Sequence, residues 1–193
     1  MVQLISLELL KAALDIRGQE QDDWLTTLIE QASSAIETHL NRSLALNHYS
    51  RTFDIGLDER VHAVTIPNTP ISQITKILHN KDEITFTYDL DSRFGTVKTE
   101  YGHIFDHGRW IIEYEGGYVL PDNKEGKPPT LPADIQSATL IIAQNAWFAR
   151  QRDTAIRSES EQGIGSTTWV TPDNGLSVEA MALLVPYRRG GIS

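Results

Sequence analysis

The sequence predicts an α+β fold, mainly a helical bundle of about four helices with an antiparallel β-region inserted near residues 49–118. Three observations predict it. Apolar residues recur at three- and four-residue steps in segments near 6–16, 22–40, 133–150 and 177–185, as the buried faces of helices do. Between the second and third of these segments the pattern changes to short runs rich in Val, Ile, Thr, Phe and Tyr, separated by turn formers. The chain has 193 residues, 40% hydrophobic and 22% charged, which suits one packed domain over 1–193 and argues against general disorder.

Taken in order, Ser6 is a suitable N-cap for a short helix lined by Leu7, Leu10 and Leu14, with Gly18 as its expected stop. Asp22 and Asp23 open the second helix, where acidic groups meet the positive end of the helix dipole. Its stripe runs through Trp24, Leu25, Leu28, Ile29, Ala32, Ala35, Ile36 and Leu40, and Asn41 is a natural terminator. Strand-like runs follow at 49–55, 61–66, 71–78, 84–88, 96–101 and 110–114. Gly56, Pro67-Asn68, Asn80-Lys81-Asp82, Asp91-Ser92 and Gly95 separate them, and Gly116-Gly117 closes the block. Residues 121–132 form a proline-rich polar loop, with Pro132 placed for the first turn of the third helix. That helix carries Ile135, Ala138, Ile142, Ala146 and Ala149 on one side, with Leu140, Ile141 and Phe148 widening the apolar surface. A helix apolar around most of its circumference suits a bundle centre or a subunit interface. Residues 151–175 read as a long polar loop interrupted by Trp169 and Val170. A last short helix ends before Pro186.

Charge narrows the function. The net formal charge is -9, against the basic surface that phosphate neutralisation requires of a nucleic-acid binder. The charge is uneven: residues 1–40 hold seven acids against Lys11 and Arg17, while residues 181–193 hold Arg188 and Arg189 and no acid. Such asymmetry can orient head-to-tail association. The absence of cysteine excludes disulfide and thiolate chemistry. No signal peptide is read at the start, and no apolar run approaches the ~20 residues of a membrane span.

Catalytic constellations are weak throughout. His103 and His107 stand four apart with Asp106 between them, a spacing that ligates metal on a helix. Here the segment lies between strand-like runs and has no third and fourth ligand beside it, so a polar hairpin loop is the simpler reading. Asp89, Asp91 and Gly95 faintly resemble a calcium loop but lack its remaining acids. No nucleophile elbow, phosphate-binding loop or dinucleotide fingerprint occurs. The expectation is therefore no catalytic residue, no metal and no cofactor. Trp169 and the C-terminal Leu183, Leu184, Pro186, Tyr187 and Arg188 are of a different kind, because aromatic and arginine side chains are favoured where partners bind. Both could equally close on the chain's own core.

The order of these parts resembles the tailed-bacteriophage head–tail connector (adaptor, head-completion) protein family. The resemblance is carried by SLELLKAALDI followed by DDWLTTLIEQASSAIETHLNRSL, then VTIPNTPISQITKI, WIIEYEGGYV, LPADIQSATLIIAQNAWFARQ and VEAMALLVPYRR. The more specific pieces are Tyr-Glu-Gly-Gly-Tyr at 114–118 and Leu-Leu-x-Pro-Tyr-Arg at 183–188, and the match extends over nearly the whole chain. It implies a single connector domain that assembles as a homo-oligomeric ring, a dodecamer in the virion, beneath the portal protein. It further implies a location in the virion neck, with assembly in the bacterial host cytoplasm and no membrane. Portal docking would fall to Leu183, Leu184, Pro186, Tyr187 and Arg188, and bridging to a neighbour or to the head-closure or tail-terminator protein would fall to Trp169 and Val170. Acidic groups lining the channel would let DNA pass without specific binding. The alternatives are a tail-completion or head-closure component of the same neck, or a small metal-dependent hydrolase built on His103, Asp106 and His107.

Overall fold

A computed structural model describes residues 2–85, 87–100, 105–121, 126–150, 158–161, 165–168 and 176–188. The fold is α+β. Within the span read as one domain, the chain forms two compact units, Met1–Asn41 with Leu120–Ser193, and Arg42–Val119.

The first unit is helical. Helix α1 (Leu7–Ala13) is capped by Ser6, whose Oγ accepts the Leu9 N–H at 3.2 Å. It stops well before Gly18. Asp15 takes the left-handed conformation (φ 53°) and the Ile16 N–H reaches the Lys11 carbonyl at 2.9 Å, so a Schellman-type cap ends the helix with aspartate where glycine was expected. Ahead of it, Leu4 and Ile5 are fully buried core residues that helical periodicity does not reveal, because they precede the helix. Helix α2 (Asp22–Leu40) keeps its expected bounds and ends at Asn41, again left-handed. It buries Leu25, Leu28, Ile29, Ala32, Ile36 and Leu40. Trp24, assigned to the same stripe, is 39% exposed instead, since it lies well around the helix from Leu25. Helix α3 (Ala133–Ala149) buries Ile135, Ala138, Thr139, Ile142 and Ala143. Ala146 and Ala149 leave the buried stripe and are exposed, because the core contact ends before the last turn. Helix α4 (Val178–Leu184) is capped by Ser177 and packs through Leu176, Ala180 and Leu184. A 3₁₀ turn, Val185–Tyr187, follows it.

Two buried polar side chains serve this core. Ser33 Oγ accepts the Leu4 N–H at 3.1 Å and donates to the Ile29 carbonyl at 2.7 Å. Thr139 Oγ1 donates to the Ile135 carbonyl at 2.8 Å. Each hydroxyl therefore enters the core with its hydrogen bond made, which removes the penalty of burial.

The second unit is built of antiparallel sheets. Strands β1 (Asn47–Ile55), β3 (Ile71–His79), β4 (Asp82–Glu83) and β7 (Gly108–Gly116) form one sheet in the order β1-β7-β3-β4. Strands β2 (Ala63–Thr65), β5 (Tyr88–Asp91) and β6 (Thr96–Thr99) form a second, ordered β2-β6-β5. β7 shows the period of two: Trp110, Ile112, Tyr114 and Gly116 are buried and alternate with more exposed neighbours. Ile77 and Ile112 from the larger sheet join Val64 and Val97 from the smaller in one apolar cluster. The strand expected at 84–88 does not form at Ile84, Thr85 and Thr87, which lie between β4 and β5. Positive φ at Asn80 and Lys81 makes a tight turn, so β4 starts at Asp82, and β5 begins only at Tyr88. The segment between β6 and β7, read as polar, hides Phe105, which is buried edge-on against Trp110 at 4.9 Å.

Gly117 explains why a glycine pair ends this block. Its φ is 104°, and a Cβ there would lie 2.5 Å from the Ala45 carbonyl oxygen. A side chain would block the parallel bridge between Ala45 and Tyr118.

Residues 151–175, read as a loop, contain a hairpin, β8 (Ser158–Glu161) paired with β9 (Gly165–Thr168). Trp169 and Val170 lie outside the described residues.

Candidate interaction surfaces

The C-terminal segment is positioned by two anchors. Leu184 is fully buried in the helical unit, and the Tyr187 hydroxyl donates to Asp134 Oδ2 at 3.1 Å. Between and beyond the anchors the chain turns outward. Val185 is 68% exposed, Pro186 and Arg188 are exposed, and Leu183 is half-buried. The five residues singled out by sequence are thus divided between holding the segment and presenting it. Val185, in the same C-terminal run, is presented because the 3₁₀ turn that follows α4 leaves it on the outside.

A second apolar surface lies where α2 begins and α3 ends. The Arg150 guanidinium sits 5.4 Å from the Trp24 ring centre, a cation–π contact that joins the two helix ends. Phe148 is also exposed. Along α2, Gln31, Ser34, Ala35, Thr38 and His39 line a groove of about 670 Å³ closed by Leu176. Its small side chains and single titratable group offer shape rather than acid–base chemistry.

In the β unit two turns project apolar side chains. The Gly56 N–H donates to Glu59 Oε2 and the Glu59 N–H to the Gly56 carbonyl, which leaves Leu57 on the outside of the turn and 80% exposed. Asp91 accepts the Phe94 N–H through Oδ1 and the Gly95 N–H through its carbonyl, and Phe94 is exposed at that turn. A lone apolar residue inside a turn-forming run was the available sequence signal for both.

Among the described residues the histidines form no ligand cluster. His103 lies outside the described residues, and His107 is exposed, its carbonyl 3.0 Å from His79 Nε2. The His79 ring stacks on Trp110 at 4.4 Å, a packing role. Among the described residues no group of three or more His, Cys, Asp or Glu is placed to hold a metal ion.

Comparison with known proteins gives the same direction as this geometry. No curated protein matches the sequence. In fold the chain is similar to a protein in the neck of an empty GTA particle computed with C6 symmetry, with TM-score 0.62, 14% identity, and coverage of 98% of this chain and 92% of that one. It is also similar to one in the neck of a native GTA particle computed with C12 symmetry, with TM-score 0.56, 16% identity, and coverage of 100% and 95%. A third likeness, at TM-score 0.59 and 14% identity, is to a chain in the virion of a native gene transfer agent (GTA) particle, covering 98% and 92%. The sequence matches the family described as head completion protein over residues 3–190, nearly its full length, and the chain belongs to that family.

Proposed function

We propose that this chain is a non-catalytic structural subunit of the virion neck, one connector domain that assembles as a ring between the portal and the tail or head-closure proteins, around the DNA exit channel. Family membership over residues 3–190 is the observation that carries the reading. The likeness in fold to neck proteins of particles with C6 and C12 symmetry supports a closed ring, and the C12 particle fits the dodecamer of this reading. In this reading Leu184 and Tyr187 anchor the C-terminal segment, and Leu183, Pro186 and Arg188, with Val185, meet the portal. Trp169 and Val170 bridge to a neighbour or to the next neck protein. The net charge of -9 is then useful, because an acidic lumen repels phosphates and lets DNA slide without sticking.

The test is the mass of the purified protein across a wide concentration range, joined to a pull-down with portal protein. A discrete ring mass, or capture by portal that Arg188→Glu and Pro186→Ala weaken, supports the adaptor role. Capture by tail-terminator protein alone would move the chain to a tail-completion or head-closure role. A monomer that binds neither sinks the reading.

A further inference from the structure

We propose that the β8–β9 hairpin of one copy adds to the open β1 edge of the next copy, extending its four-stranded sheet; the inference rests on the ring reading above. The open edge comes first. In the order β1-β7-β3-β4, β4 ends one side with two residues, Asp82–Glu83, and the smaller sheet ends in β2 and β5, of three and four residues. Short edge strands offer little to a foreign strand. β1 is different: it has nine residues, carries no proline, and pairs with β7 from Asn47 opposite Gly116 to Ile55 opposite Gly108 without a bulge. Asn47, His48, Ser50, Arg51, Thr52 and Asp54 are exposed. Among the described residues the ion pairs of β1, Asp54 with Arg109 and His48 with Glu115, reach only to β7.

The hairpin lacks what β1 could supply. β8 and β9 form a two-stranded sheet of their own, and such a hairpin is at best marginally stable in water. The strand sequences, SESE and GSTT, hold no large apolar residue, so these two strands offer no hydrophobic face of their own. It can offer backbone hydrogen bonds, and edge addition is the mode of recognition that uses them. Charge agrees. β8 carries Glu159 and Glu161, while on β1 Arg51 is exposed and makes no ion pair among the described residues.

The tethers are long. Eight residues, 150–157, separate α3 from β8, and nine, 169–177, separate β9 from α4. Each tether can span ~26 Å when extended. A second copy is the occupant because a closed ring requires two unlike, complementary surfaces on every subunit, and an edge strand and a two-stranded hairpin that pair with no further strand among the described residues meet that requirement. Closure would also cover every β1 edge, which otherwise invites uncontrolled strand pairing.

The chain has no cysteine, so disulfide mapping needs no background removal. Two full-length pools, one Thr52→Cys and one Ser160→Cys, are distinguished by tag mass, mixed at assembling concentration and mildly oxidised. Ser50→Cys repeats the experiment at a second register. The expected result is a disulfide between the two pools, ~10-fold above a control pairing Ser160→Cys with Lys81→Cys in the β3–β4 turn, the excess that geometric proximity gives over random collision. Replacing residues 158–168 by a Gly/Ser linker should raise the concentration for half-assembly ~10-fold, equivalent to about 1.4 kcal/mol. If wild-type protein forms a ring but the mixed cysteine pools form no cross-link and the linker leaves assembly unchanged, the hairpin proposal is overturned and the ring stands. A disulfide found only within single chains of the Thr52→Cys/Ser160→Cys double variant means the hairpin covers its own sheet, and also overturns the proposal. Wild-type protein that stays monomeric, with no cross-link in the mixed cysteine pools, removes both readings.

Discussion

The helical unit and the β unit solve the problem of a small core in different ways. The helical unit is discontinuous in sequence, Met1–Asn41 closing on Leu120–Ser193, yet its helices announce themselves locally, α1 and α4 through serine caps and α2 and α3 through apolar residues at helical spacing. The β unit is one continuous segment, Arg42–Val119, yet its central strand β7 pairs with β1, more than fifty residues earlier, and with β3. Backbone hydrogen bonds in the first are satisfied within a few residues, and in the second only across the sheet. The β core therefore leans on a few large side chains that bridge distant segments. Tyr114 is the clearest, since its ring is buried and its hydroxyl donates to the Pro67 carbonyl at 2.8 Å.

That contrast can be tested by the damage single substitutions do. The largest effect is expected from Tyr114→Ala, which empties the β core and leaves the Pro67 carbonyl without that donor, at a cost of about 4 kcal/mol in urea unfolding. Ile36→Ala, at an equally buried site in α2, should cost about 3 kcal/mol. If the helical substitution proves the more damaging, the β unit does not depend on its aromatic bridge as described. Next comes Gly117→Ala, expected to lose about 3 kcal/mol, since the new Cβ meets the Ala45 carbonyl on a backbone already at positive φ. A loss below ~1 kcal/mol would mean the Ala45–Tyr118 bridge can open freely.

Ser33→Ala sharpens the helical side. It strands the Leu4 N–H in the core and should cost about 1–2 kcal/mol, whereas Ser33→Thr, which keeps the hydroxyl, should recover much of the loss. Equal losses for both would say that volume, not the hydrogen bond, limits the site. The smallest effect belongs to Arg109→Gln. Its guanidinium pairs with Asp54 at 2.9 Å on the surface, and the hydrogen bond and charge of that carboxylate raise its pKa above the ordinary arginine value. The group keeps its proton at every working pH, and any stability it adds would be lost only in strong base. No pH dependence near neutrality should arise from it, and added salt should erase whatever difference the substitution makes.

Much of this protein is legible without a structure. Ser6 and Ser177 as caps, α2 from Asp22 to Leu40, Asn41 as its stop, and the turn residues between the strands all follow from local chemistry. Misplacements had local and tertiary sources. α1 ends in a left-handed cap at Asp15 rather than at Gly18, a local bond pattern that residue preference does not point to, and the strand placed at 84–88 gives way to β4 at Asp82–Glu83, whose register comes from β3 across the Asn80-Lys81 turn. Phe105 is invisible in a histidine-rich segment until Trp110 folds over it. The candidate surfaces divide in the same way. The apolar and basic C-terminal segment can be seen in the sequence, but which of its residues are buried anchors and which are presented depends on the 3₁₀ turn that follows α4.

The sequence alone determined the fold class, the helices and the acidic, cysteine-free character, because capping, periodicity and charge are properties of neighbours along the chain. Only the tertiary structure decided strand order, the partners of Tyr114 and Trp110, and the place of the long strand β1 at the edge of its sheet. Those depend on pairings between residues far apart in sequence, whose register is set by the whole sheet and by no single segment.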